Sequence, residues 1–60
     1  MKSPRHQLTD KILDKMRHKG IKPTHLKKWF NTAAIKRFYN YEASFMMLFT
    51  LESIIDKEEK

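Results

Sequence analysis

Residues 35–56 read IKRFYNYEASFMMLFTLESIID, and whether they make one helix or two decides the fold. At 100° per residue, Ile35, Phe38, Phe45 and Phe49 share one stripe. That stripe has to pass through Glu42, and Glu52 and Asp56 finish it. A second stripe, formed by Met47, Leu48, Leu51, Ile54 and Ile55, points roughly 160° away from Phe49. One continuous helix would carry two apolar faces, so the spacing predicts a break between Asn40 and Ser44, although neither Gly nor Pro enforces it. The segment after the break, residues 44–57, is apolar around most of its circumference and acidic towards its end. A helix of that kind is normally buried on several sides. Met47, Leu48, Leu51, Ile54 and Ile55 are expected to face the domain's own core, leaving Phe45, Met46 and Phe49 for a subunit or partner contact. Residues 56–60 are expected to fray, because acids at a helix C-terminus oppose the dipole.

Upstream, Leu8, Ile12, Leu13 and Met16 recur at helical spacing and predict an amphipathic helix over residues 4–19. Ser3 and Pro4 suit its N-cap and first helical position, while Thr9, with Leu8 and Leu13 as a hydrophobic staple, offers a later start. Gly20 is the sole glycine and stands where a left-handed residue ends a helix, so that Ile21 can fold back on Met16. Pro23 and Thr24 open a second, short helix with Leu26, Trp29 and Phe30 as its apolar residues. Asn31 and Thr32 punctuate it, and Thr32 is expected to cap a third helix. That helix turns Ile35, Phe38 and Tyr39 inward and Ala33, Lys36, Arg37 and Asn40 outward. The fold class is therefore all-α: a compact three- or four-helix domain spanning residues 1–60 as one unit. Sixty residues bury only about 60% of their unfolded surface, and no cysteine is present to staple them, so a homodimer is expected.

Thirteen Lys and Arg against seven Asp and Glu leave the chain at +6. Residues 1–37 form a basic head, with eleven cations and two acids, while residues 38–60 hold two cations and five acids. A head of that sign attracts phosphates, an anionic membrane or an acidic protein. Catalysis finds little support. His6, His18 and His25 are isolated and read as surface residues able to touch phosphate, and there is no nucleophile motif or Gly-rich loop. No enzyme activity, cofactor or metal is expected. The amino end lacks an apolar signal-like region, and the longest uncharged stretch, Ala43 to Leu51, has nine residues against the ~20 of a spanning helix. A cytoplasmic protein with no membrane partner is expected.

Residues 23–40 resemble a helix-turn-helix in outline: a short helix, a turn containing Asn31 and Thr32, then a helix with small, cationic and amide residues outward. The resemblance implies that the second helix enters the major groove of duplex DNA. Arg37 could then pair bidentately with guanine, Asn40 with adenine, and Lys36 with guanine or phosphate. Lys22, Lys27, Lys28 and Thr32 would hold phosphates. A second likeness covers residues 12–21, ILDKMRHKGI, which resemble the first helix and glycine stop of a SAP domain, another small DNA-binding module. It ends there, since residues 23–26 hold no glycine, and no function is taken from it. The expected function is a dimeric DNA-binding transcription regulator. Two alternatives use the same basic head: an adaptor or inhibitor docking on an acidic partner protein, and an RNA-binding protein with Tyr39, Tyr41 and Trp29 exposed for stacking.

Overall fold

The computed structural model describes residues 3–58, and its elements are helical throughout. Helix α1 spans Pro4–Lys19, a 3-10 helix spans Pro23–Lys28, α2 spans Thr32–Tyr39 and α3 spans Phe45–Lys57. No strand occurs among the described residues. The Cα radius of gyration is 10.7 Å, close to the ~10.4 Å of a compact chain of this length.

Helix α1 begins where the Ser3–Pro4 pair predicts. The Ser3 hydroxyl accepts from the His6 N–H at 3.1 Å, satisfying one of the donors that the first turn leaves open. Thr9 is no second start. It is fully buried, and its hydroxyl donates to the Arg5 carbonyl at 2.9 Å. Such back-bonding lets a hydroxyl enter a helix–core interface without an unpaired polar group. Gly20 ends the helix at φ 70 and ψ 24, with its N–H on the Arg17 carbonyl at 3.2 Å and that of Ile21 on Met16 at 2.9 Å. Both bonds of the expected glycine stop are present.

The predicted break is also present, and Tyr41 makes it. Tyr41 adopts φ 63, the only described residue other than glycine with positive φ. Its N–H donates to Phe38 at 3.1 Å and that of Glu42 to Arg37 at 2.7 Å, the pair of bonds that Gly20 supports on α1. A residue with a Cβ costs about 1–2 kcal/mol in this conformation. Two contacts with α1 offset that cost: the Tyr41 ring stacks on His6 with centroids 3.9 Å apart, and its hydroxyl donates to Asp10 Oδ1 at 2.6 Å. His6 is accordingly a half-buried stacking partner rather than a free surface residue. Ala43 follows the turn into the core, and the Ser44 hydroxyl accepts from the Met47 N–H at 3.3 Å to start α3.

The core joins Ile12 and Met16 of α1, Leu26 of the 3-10 helix, Ile35 and Phe38 of α2, Ala43, and Leu48, Leu51 and Ile55 of α3. Each large aliphatic side chain buried this way contributes about 1.5–3 kcal/mol. Met47 and Ile54 are half-buried beside them. The fraying expected of residues 56–60 does not occur up to Lys57, where α3 ends; residues 59–60 lie outside the described residues. Lys19 Nζ donates to the Ile55 carbonyl at 2.7 Å and to that of Glu58 at 3.3 Å, and Lys15 holds the Asp56 carboxylate at 3.0 Å. Two lysines from α1 thus add to the positive charge that Lys57 alone supplies at the end of α3.

If Tyr41 is held left-handed by its contacts with α1, Tyr41→Phe should cost about 1–2 kcal/mol in urea unfolding, a hydrogen bond to a half-exposed carboxylate. Tyr41→Ala should be less stable than Tyr41→Gly by about 1 kcal/mol, because only glycine is free of the left-handed penalty. Equal stabilities for the Ala and Gly variants would rule out the strained turn.

Candidate nucleic-acid interface

The 3-10 helix and α2 carry the residues that the sequence singles out for phosphate and base contacts. Pro23 sets the first turn, and the Lys22 N–H donates to His25 Nδ1 at 3.0 Å. His25 therefore has a local structural partner while remaining exposed. The segment closes when the N–H groups of Trp29 and Phe30 both reach the Leu26 carbonyl, at 3.0 and 2.9 Å. The short helix expected after Pro23 is present, wound over six residues as a 3-10 helix. The side chain of Leu26 anchors the segment to the core, with Trp29 and Phe30 half-buried around it.

Asn31, not Thr32, caps α2: its Oδ1 accepts from the Ala34 N–H at 2.8 Å. Both residue types cap well, and the chain uses the earlier one, which makes Thr32 the first helical residue. Helix α2 turns Ile35 and Phe38 inward and leaves Ala33, Lys36 and Arg37 exposed. Asn40 is exposed just beyond the last helical residue, its N–H on the Lys36 carbonyl at 2.9 Å. Lys36 and Arg37 also lie in the last turn, where cations favour the dipole. Lys22, Lys27, Lys28 and Thr32 are exposed.

The ion pairs divide the cations into two groups. Lys11 and Lys15 meet Glu52 at 3.6 and 3.2 Å, and Lys15 meets Asp56 at 3.0 Å. Lys19 is engaged on α3 carbonyls, and Asp14 lies beside His18 at 3.6 Å. Among the described residues, no ion pair engages Lys22, Lys27, Lys28, Lys36 or Arg37. Glu52 and Asp56 are thus paired with α1, whereas these five cations of the 3-10 and α2 region have no acid within 4.0 Å among the described residues.

Beside α2 an open groove of about 380 Å³ is lined by Arg5, Ala33, Ala34, Arg37, Glu42 and Ala43, among others. Arg5 is the site residue that sequence reasoning missed, since no periodicity links the first turn of α1 to α2. The aromatic residues proposed for base stacking are not free. Tyr41 stacks on His6, Tyr39 sits edge-on to Phe38 with centroids 5.1 Å apart, and Trp29 is half-buried. Burial pushes the Tyr39 phenol above its usual value. Phe45, Met46 and Phe49 are 45%, 80% and 57% exposed, the large apolar side chains that the described surface displays, with the two phenyl rings stacked at 6.0 Å.

No helix among the described residues is long and apolar enough to cross a membrane, and no group of three or more His, Asp or Glu there could hold a metal ion. No known protein family, curated protein or solved structure matches the chain.

Hydrogen bonds to Asp56, and next to Glu52, hold the Lys15 ammonium above the usual lysine value of 10.5. A folded value above the unfolded one stabilises fully below pH 10.5 and ceases to do so as pH rises through the folded value. In thermal melts, the gap between wild type and Lys15→Gln should therefore hold from about pH 7 to about pH 10 and narrow above it. A gap that widens in alkali would contradict the pairing.

Proposed function

We propose that this chain is a small, non-enzymatic DNA-binding protein, a transcription regulator that contacts duplex DNA as a homodimer through its 3-10 helix and α2. The observation that carries the reading is the division of charge: Glu52 and Asp56 pair with lysines of α1, while Lys22, Lys27, Lys28, Lys36 and Arg37 stay exposed and, among the described residues, outside any ion pair. At 0.1 M salt the Debye length is about 10 Å, so locally paired charges cancel and unpaired ones dominate attraction to a polyanion. In this reading Arg37 and Asn40 reach base edges, Lys36 reaches guanine or phosphate, and Lys22, Lys27, Lys28 and Thr32 hold the backbone. A helix-turn-helix-like approach fits an α2 of eight residues, about 12 Å long, with its core face covered by the domain and its polar face free. The half-buried state of Tyr39, Tyr41 and Trp29 favours a duplex over single-stranded RNA, which needs exposed stacking platforms.

The dimer rests on α3. Phe45, Met46 and Phe49 offer roughly 400 Å² of apolar surface, about half of the ~800 Å² per partner in a standard interface. Exposed, uncharged Thr50 and Ser53 extend the same helix surface. Phe49→Asp should convert a sedimenting dimer into a folded monomer, with helical circular dichroism retained because Phe49 is exposed. A wild-type chain that stays monomeric at DNA-binding concentrations would exclude the dimer and leave the patch to a different protein partner.

Fluorescence anisotropy of a mixed-sequence duplex over a range of salt concentrations tests the main reading. Three phosphate-holding lysines per protomer give a dimer a log–log salt slope of roughly −5. Arg37→Ala should cost about 1–3 kcal/mol at a preferred site and relax its specificity, whereas Lys27→Ala should weaken all sequences alike. Absence of duplex binding at low salt would overturn the proposal and make the basic surface a docking face for an acidic protein.

A further inference from the structure

The groove beside α2 draws its walls from parts of the chain far apart in sequence. Arg5 comes from the first turn of α1, Ala33, Ala34 and Arg37 from α2, and Glu42 and Ala43 from the connection to α3. The alanines carry only a methyl group, which takes little of the groove's space. Its volume of about 380 Å³ lies within the ~300–1,000 Å³ of ligand clefts. Two arginines and one glutamate line it, and among the described residues neither arginine has an ion-pair partner within 4.0 Å. Guanidinium forks match phosphate oxygens in pairs and remain charged at any physiological pH.

Arg37 belongs both to the groove and to the exposed face of α2 that includes Lys36 and leads to Asn40. A polymer lying along that face therefore runs past the mouth of the groove. We infer that the groove seats one phosphate of the duplex backbone on Arg5, flanking the base contact of Arg37. This rests on the DNA reading above and adds α1 to the contact surface. Backbone contacts next to the reading helix fix its register on the duplex. Glu42 works against the anion and limits the affinity of the groove.

Three variants test this in the same anisotropy assay. Arg5→Gln should weaken duplex binding by roughly eightfold per bound protomer at 0.1 M salt and flatten the salt slope by about 0.9, the share of one phosphate. Arg17→Gln removes the same charge about 18 Å further along α1, beyond the ~10 Å Debye length, and should leave both quantities unchanged. Glu42→Gln should tighten binding. All three positions are exposed, and melts recorded alongside show whether each variant folds. If wild type binds and Arg5→Gln behaves like Arg17→Gln, the phosphate seat is wrong while the DNA reading stands. If Glu42→Gln weakens binding as Arg5→Gln does, the groove holds no anion and the inference is overturned. A wild type that does not bind duplex removes both.

Discussion

Leu48, Leu51 and Ile55 have to be buried somewhere, and in a chain of sixty residues the choice of partner is narrow. Helix α2, about 12 Å long, is too short to cover the ~20 Å of α3, whereas α1 runs for about 24 Å. The main helix–helix contact is accordingly α1 with α3, and much else follows from it. It brings Lys15 to Glu52 and Asp56, and Lys19 to the last carbonyls of α3. Exposed ion pairs contribute only about 0–1 kcal/mol each, so burial stabilises this contact and the charges chiefly orient it. They also settle the end of α3, where Lys57 alone would stand against Asp56 and Glu58.

The same docking requires the chain to turn sharply after α2, and the residue at the turn is a tyrosine. Glycine would take the left-handed conformation without penalty. Tyr41 takes it because α1 already presents His6 and Asp10 at the place where the ring and hydroxyl arrive. The break therefore depends on tertiary structure, unlike the glycine stop of α1. It also splits the first apolar stripe of residues 35–56 and turns the second inward: Ile35 and Phe38 enter the core from α2 and Leu48, Leu51 and Ile55 from α3, while Phe45 and Phe49 are left outside. A chain that remained helical through Glu42 could not bury both Ile35 and Phe38 and, on the opposite face, Leu48, Leu51 and Ile55.

What could be read in the sequence depended on how local its cause was. The ends of α1 were legible because Ser3, Pro4 and Gly20 act on their own neighbours, and the break after Asn40 because its cause is a mismatch of helical phase. The exposure of Phe45, Met46 and Phe49 followed from that phase as well. The residue that makes the break was not legible, since a left-handed tyrosine needs a partner from another helix. Asn31 and Thr32 are adjacent residues of similar capping strength, and nothing in the sequence ranks them. Six residues after a proline do not distinguish 3-10 from α winding. The persistence of α3 to Lys57 depends on lysines of α1, and the groove on Arg5, all remote in sequence from what they act upon.

The charge surface follows the same logic of distance. In sequence the basic head is continuous from Lys2 to Arg37, so every cation in it looks equally able to meet phosphate. Folding makes them unequal. Lys11, Lys15 and Lys19 are used on α3, whereas Arg5, Arg17 and the cations from Lys22 to Arg37 enter no ion pair among the described residues. A basic composition that only kept the chain soluble would have no reason to segregate this way, because solubility is served equally by evenly mixed charges. Segregation has a consequence for association: Lys22, Lys27, Lys28, Lys36 and Arg37 lie on or beside the 3-10 helix and α2, whereas Phe45, Met46 and Phe49 lie on α3. Two copies that met through α3 would each keep Lys22, Lys27, Lys28, Lys36 and Arg37 off the helix that joins them.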